Sequence, residues 1–393
     1  MSEEIKENPE LDQAVNAANK ISSLSKALNE AFIDRSDEIR CCLLALAAKE
    51  HAVLIGAAGT SKSLLIDKLS NAIGLKYFHT LLCKDSKADQ LFGPLSINAI
   101  KNDVRKRVTT NRLPEAEVAF LDEVFKANST ILNNLLTAMN ERKFENPDMQ
   151  TIPLKTVFGA SNELPSEKVL DALYDRFLIR RWVKNLKSRK SVQKLLLNDG
   201  LAKVEIPKTD WSNFQIIYEA SKEVENDEKV LDAYYKIVSD LGITSDRRIL
   251  KAYRLMKVNA ALSGRKTLKR KDLTVLRYVL WNNEDDINRV SELIAHNIGS
   301  KVRDASALFQ EWISNLGLDP NKVDNLDGLL EDIAKLGASE YASLLQDARQ
   351  KHRRIETELK LLAEQDDECE EILGCFEECY EQFRASMRLA FGL

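Results

Sequence analysis

The chain has 393 residues, with 57 Lys and Arg against 61 Asp and Glu, a formal net charge of −4 and an apolar share of 44%. That length supports two or three domains with their own cores, and the acidic balance argues against a general nucleic-acid binder, which shows a strong basic excess. The longest apolar stretch, CCLLALAA at 41–48, is about half a membrane span, and the polar opening MSEEIKENPELDQ does not read as a secretory signal.

Residues 11–49 carry apolar residues at helical spacing and end in a second helix, SDEIRCCLLALAAKEH, for which Ser36 or Asp37 is the expected cap. Five short β-type runs follow: AVLIG (52–56), KYFHTLL (76–82), EVAFLD (117–122), TVFGAS (156–161) and FLIRRWV (177–183). Helical patterns such as KSLLIDKLSNAI and STILNNLLTAMNER lie between them. Strands alternating with helices predict an α/β core, a parallel sheet with helices on both faces. Beyond about residue 188 the strand signal fades and the pattern is helical. The expected domains are therefore an α/β core with N-terminal helices over 1–188, a helical region over 189–285 and a further all-α domain over 286–393. The last is broken at NLGLDPNKVDNLDG (315–328) and ends in two long helices over 340–389, acidic from Glu364 to Glu381.

One stretch carries chemistry directly. In VLIGAAGTSKSLLIDKL (53–69) an apolar strand runs into a small-residue turn and then an amphipathic helix. The spacing nearly matches the phosphate-cradling loop G-x-x-x-x-G-K-[ST], with Ser61 where a second glycine is usual. Such a loop works because successive backbone N–H groups point inward and a helix N-terminus adds its dipole. Gly56, Ala57, Ala58, Gly59, Thr60, Ser61, Lys62, Ser63 and Leu64 would form the cradle. Gly56 and Gly59 would make the turn proper, and Ser61 is expected to be already entering the helix, where a small residue is tolerated and can cap. Lys62 would reach the β- and γ-phosphates and the Ser63 hydroxyl would ligate Mg²⁺. About 60 residues downstream EVAFLDEVFKAN ends an apolar run in adjacent carboxylates. A strand sends consecutive side chains to opposite faces, so Asp122 can hold Mg²⁺ through its water shell while Glu123 polarises an attacking water. A ligand-free turn and an exposed acidic strand end are the bland alternatives; their occurrence together in one α/β pattern favours a nucleotide site.

At this point the sequence resembles the AAA+ ATPases, within them the MoxR group, and most closely its RavA (regulatory ATPase variant A) type. The resemblance covers about residues 20 to 285 and rests on separate motifs. These are IDRSDEIRCCLLALAA, the phosphate loop, FGPLS (92–96), LPEAEVAFLDEVFKANSTILNNLLTAMNERKFEN (113–146), GASNELP (159–165), ALYDRFLIR (172–180) and SDRR (245–248). It implies a P-loop NTPase core, with 189–285 as a helical lid, and several roles. Asn162 would be the sensor that orients water near the γ-phosphate, Arg176 the finger reaching a neighbouring subunit's site, and Arg247 the lid's sensor, with Arg248 as the alternative. It also implies ATP and Mg²⁺ as ligands and a homo-oligomeric ring, in the family a hexamer. The stretch around FGPLS and the turn at RKFENPDMQTIP (142–153) would face the pore. The ring would remodel or activate a protein partner, first of all one with a von Willebrand factor A (vWA) domain. Two rivals stay open: a nucleotide switch with little turnover, and a ring that translocates nucleic acid. The β-rich insertion of RavA-type C-terminal regions has no counterpart in 286–393, so the partner that it recruits is not carried over.

Other features are expected to be bland. NKVD (321–324) matches a guanine-reading signature but follows a turn and not a buried strand. Cys369, Cys375 and Cys379 share one acidic helix without histidines or C-x-x-C pairs, and six cysteines in a chain of this size fit a reducing cytoplasm. The basic clusters KNLKSRK (184–190) and GRKTLKRK (264–271) suit phosphates, subunit contacts or solvent as well as nucleic acid.

Overall fold

A computed structural model describes residues 9–186, 189–197, 204–298, 300–318, 329–330, 333, 342–363 and 367–391. They divide into two units, Met1–Leu268 with Asp272–Val290, and Lys269–Lys271 with Ser291–Leu393. In the first unit two helices, α1 (Pro9–Ala31) and α2 (Ser36–Ala48), precede strand β1 (His51–Ile55), helix α3 (Lys62–Ile73) and strand β2 (Tyr77–Leu81). Short helices α4 (Ala88–Phe92) and α5 (Ile97–Ile100) lead to β3 (Val118–Asp122), α6 (Ser129–Glu141) and a small hairpin, β4 (Lys143–Glu145) and β5 (Met149–Thr151). Strand β6 (Thr156–Ser161), helix α7 (Asp171–Tyr174) and strand β7 (Phe177–Trp182) complete the sheet.

The five long strands run parallel in the order β2-β3-β6-β1-β7. Every residue of β1 and of β6 is buried. That is why HAVLI and TVFGAS read as near-continuous apolar runs: a parallel sheet covered on both faces has no polar side to alternate with. The sheet and its flanking helices agree with the α/β architecture expected from the sequence. Helix α3 buries Leu65, Ile66, Leu69 and Ile73 on one face and stops at Gly74, whose left-handed φ of 73° lets the chain turn back on the last carbonyls.

The start of α2 differs from expectation. Neither Ser36 nor Asp37 caps it; the flanking residue is Arg35, and no side chain makes a cap bond. Asp37 has stronger partners, lying 2.9 Å from Arg181 and 2.8 Å from Arg277 and accepting a hydrogen bond from Tyr278. Two guanidiniums outcompete a backbone amide for one carboxylate, which still favours the helix dipole from the first turn.

Past residue 188 the structure is helical: α8 (Arg189–Leu197), α9 (Trp211–Lys222), α10 (Glu228–Asp240) and α11 (Asp246–Leu262). Asp227 and Ser245 cap α10 and α11 by accepting from the N–H groups of Val230 and Arg248. The buried Arg180 of β7 lies over the Tyr174 ring at 3.9 Å and donates to the Trp281 carbonyl at 2.7 Å, tying the sheet to the end of this helical segment.

Helix α12 (Glu284–Ile298) runs from the first unit into the second, which holds α13 (Ser300–Asn315), α14 (Ala342–Ala363) and α15 (Asp367–Phe391). Their core is Phe309, Trp312, Ile355, Leu359, Phe376 and Phe383, with Cys369 and Cys379 buried among them. Burial pushes the Cys379 thiol up to about 12, the opposite of what a metal thiolate needs. Among the described residues no group of three His, Cys, Asp or Glu could hold a metal, and no helix is long and apolar enough to cross a membrane. The NKVD stretch lies outside the described residues.

Candidate active site

Three neighbouring strands of the sheet, β1, β6 and β3, end beside one another, and a parallel sheet binds ligands at its carboxyl edge. Beyond β1 the chain turns at Gly56, whose N–H donates to the Ser161 carbonyl at the end of β6, 2.9 Å away. A Cβ on Gly56 would lie 2.3 Å from the Val183 carbonyl oxygen, so only glycine lets the loop pass there. Gly59, at φ 79°, has open space where a side chain would be. Ser61 corrects the sequence reading: it does not enter α3 in the helical region but sits left-handed at φ 61° and ψ 23°, and its hydroxyl makes no cap bond. The usual glycine at this position is therefore a response to backbone angle, which serine meets with some strain.

Lys62 opens α3 and folds back over the loop. Its Nζ donates to the carbonyls of Gly56 (2.8 Å) and Ala57 (2.9 Å) and to the Thr60 hydroxyl (3.3 Å). Burial lowers its pKa, while the charges of Asp122 and then Glu123 oppose that shift, so ammonium and both carboxylates belong to one electrostatic site. Ser63 and Leu64 follow in the first turn of α3, with Ser63 half-buried and Leu64 exposed.

Asp122 closes β3, and one of its oxygens accepts the N–H of Glu123 at 3.1 Å. Glu123 sits in the left-handed region at φ 53°, which re-aims its side chain off the strand direction. Its Oε1 accepts from Nδ2 of Asn162 at 2.6 Å, and Lys126 Nζ lies 3.1 Å from Oε2. Asn162 is the residue after β6, so strand order alone brings it to Glu123 across 39 positions of sequence. The donor set fits a triphosphate with a hard divalent cation. It offers a loop of backbone amides, an ammonium now satisfied by carbonyls that an anion can replace, a hydroxyl, and a carboxylate with one oxygen left for a metal-bound water.

The three arginines singled out from the sequence gather around Asp175. Arg176 Nη1 and Arg247 Nη1 each lie 3.3 Å from its Oδ2, and Arg248 Nη2 lies 3.7 Å from its Oδ1. Arg248 also donates to Asn282 at 2.8 Å. Burial and then the charge of Arg247 pull the Arg176 pKa below its ordinary value, with Asp175 opposing.

Sequence reasoning missed several residues. Arg35, buried, donates to the Thr60 carbonyl (3.3 Å) and the Lys184 carbonyl (3.1 Å), bracing the loop from behind. Asn128 caps α6 through Ile131 N–H and donates to the carbonyls of Lys84 and Ser86, tying the segment after the acids to the loop that follows β2. The bonds of Arg35 to Thr60 and Lys184 have no spacing signal, since both partners are distant in sequence. Of the two, Asn128 has a local clue, as Asn is a strong helix cap.

Comparison with known proteins gives the following. Residues 19–223 match the model of the MoxR domain in the MoxR-vWA-beta-propeller ternary systems, and residues 214–294 match an AAA lid domain. An uncharacterized protein of Methanocaldococcus jannaschii is 39% identical over 312 residues, spanning 78% of this chain and 81% of its own length. A second from the same organism is 37% identical over 338 residues, spanning 83% and 87%. A structural protein of Acidianus two-tailed virus is 30% identical over 175 residues, 43% of this chain and 28% of its own. The crystal structure of a presumed ATPase of Cytophaga hutchinsonii superposes with a TM-score of 0.60 at 16% identity, covering 73% of this chain and 96% of that one, a likeness of fold alone.

Proposed function

The chain belongs to the MoxR-type AAA+ ATPases, and from that premise we propose that it hydrolyses ATP with Mg²⁺ at the subunit interfaces of a homo-oligomeric ring, a hexamer. The cycle remodels or activates a protein partner in the cytoplasm. The observation that carries this reading is that Glu123 and Asn162, just past the ends of adjacent strands, meet at 2.6 Å (Asn162 Nδ2 to Glu123 Oε1), with Lys62, at the start of α3, within the field of Asp122 and Glu123.

In this reading the phosphates take the place of the carbonyls that now hold Lys62, and the amides of the 56–63 loop cradle them. Ser63 and Asp122 hold Mg²⁺, which when bound neutralises charge on the phosphate oxygens. Glu123 accepts a hydrogen bond from the attacking water and Asn162 keeps that carboxylate and the water aligned. Water attacks the γ-phosphorus, the bond to the bridging oxygen breaks, and ADP and phosphate leave. Arg247 is the proposed lid sensor of a γ-phosphate, and Arg176 stabilises the transition-state charge at a neighbour's site, a contribution of roughly 10³–10⁵ in related systems. A vWA-domain protein is the proposed partner, which the description of the matching family supports. Within that family we propose the RavA type on its motifs; the described residues of 286–393 form helices and no strand.

Steady-state ATP hydrolysis by wild type and Glu123→Gln, with ATP retention measured on both, tests the proposal. Glu123→Gln is expected to keep ATP and lose turnover by roughly 10²-fold or more. Wild-type turnover no faster than that of Glu123→Gln at any protein concentration would favour the nucleotide switch instead.

A further inference from the structure

Arg35 is a buried charge that the fold does not neutralise. Its Nε donates to the Thr60 carbonyl of the phosphate loop at 3.3 Å, and its Nη1 to the carbonyls of Asp34 (3.0 Å) and Lys184 (3.1 Å). Its Nη2 has no hydrogen-bond partner among the described residues, and none of their carboxylates pairs with the guanidinium. The acids nearest in the following turn are committed elsewhere, Asp37 to Arg181 and Arg277, Glu38 to Arg181. Arg35 also stands at the N-cap of α2, where the helix dipole disfavours a cation. Arg180 is buried too, but it donates from all three nitrogens and lies over the Tyr174 ring. Arg35 leaves one nitrogen idle.

A buried cation is costly unless an anion accompanies it, and what lies beside this one is the phosphate loop. Thr60 belongs to the cradle itself, and the charge of Arg35 acts on Lys62 against its protonation. Two cations that repel each other behind one loop of backbone amides form a receptor for a polyanion. We propose that Arg35 is a second fixed charge of the nucleotide site, which draws the phosphates in through the loop and takes no part in the transfer itself. This rests on the reading that the 56–63 loop binds a nucleotide's phosphates. Its carbonyl bonds alone would make Arg35 a brace; its charge makes it part of the receptor. Two substitutions separate these roles. Glutamine keeps a donor for the Thr60 carbonyl and loses the charge, whereas lysine keeps the charge and loses the planar fork.

The test uses the full chain as Arg35→Gln and Arg35→Lys. Kd for ADP in Mg²⁺ is measured by calorimetry, and Kd for inorganic tripolyphosphate by competition against ADP. Arg35→Gln is expected to raise both Kd values roughly tenfold, the scale of one charge acting over several ångströms in a partly screened interior. Arg35→Lys should keep both within about threefold of wild type. Wild-type affinity in Arg35→Gln overturns the proposal, as does an Arg35→Lys protein as weak as Arg35→Gln, which would leave only the brace. A loss confined to ADP, with tripolyphosphate bound as by wild type, also overturns it, because Arg35 would then act on the base or sugar. If the Gln variant does not fold, the Lys variant decides alone, and a rise of about tenfold in its Kd values overturns the proposal. Lys62→Ala run in parallel separates the two levels. If it binds ADP and tripolyphosphate as wild type does, the reading of the phosphate loop fails; if it loses them while Arg35→Gln keeps wild-type affinity, the role of Arg35 alone fails.

Discussion

Within the phosphate loop, two neighbouring small residues answer to different constraints. Gly56 is confined from outside, since any Cβ there would press on the Val183 carbonyl at 2.3 Å, and its φ of 151° is itself unfavourable for other residues. Ser61 is confined only by its own left-handed backbone, which costs an L-residue about 1–2 kcal/mol and which glycine would relieve at about 0.5–1 kcal/mol of extra chain entropy. Opposite outcomes are therefore expected from two single changes followed by thermal unfolding. Gly56→Ala should cost roughly 2 kcal/mol or more, because backbone must move, and should weaken ATP binding. Ser61→Gly should leave the melting temperature unchanged or raise it slightly. A Gly56→Ala protein that melts with wild type would show that the loop and Val183 are not held at this distance.

Elements are joined here by polar groups that no local pattern announces. His51, fully buried at the start of β1, accepts the Val157 N–H of β6 on Nδ1 at 2.9 Å, so Nε2 carries the proton and donates to the Met139 carbonyl of α6 at 3.0 Å. Arg142 donates to the same carbonyl and to those of Lys49 and Lys155. Burial first, and then the charge of Arg142, hold the His51 pKa well below its ordinary value. The folded protein thus keeps His51 neutral where the unfolded chain takes up a proton. Its stabilising effect is present above about pH 6.5 and is lost as pH falls below that, by about 1.4 kcal/mol per pH unit. Urea unfolding of wild type and His51→Gln from pH 7.5 to 5 should show the steeper loss in wild type. His352, also held low in the second unit, contributes equally to both proteins. Equal slopes would contradict the assignment. The same contrast marks what the sequence could reveal. Strands β1, β3 and β6 were legible to within a residue because burial on both faces leaves unbroken apolar runs, and α3 because its apolar residues recur at helical spacing. The lysine and acid motifs were legible because phosphate chemistry demands fixed local spacing. The bracing by Arg35, the capture of Asp37 by Arg181 and Arg277, and the pairing of Arg247 with Asp175 were not, because strand crossings far along the chain create those pairs.

For the whole molecule, the proposed ring requires that one chain not complete its own site. The residues proposed to act in cis lie at the carboxyl ends of β3 and β6 and at the start of α3 after β1, whereas Arg176 is held at Asp175 and is proposed to serve a neighbour. A head-to-tail interface closed by rotation into a ring would bring each Arg176 to the next nucleotide. The most direct test mixes two inactive proteins, Glu123→Gln and Arg176→Ala, after dissociation and reassembly. Each subunit lacks a different half of the site, so an Arg176→Ala subunit regains a complete site when its finger-bearing neighbour is Glu123→Gln. In an equal mixture about a quarter of the interfaces are then competent. The expected result is ATP turnover far above the sum of the separate variants and approaching a quarter of wild type. Co-assembled mixtures that hydrolyse ATP no faster than that sum would contradict it.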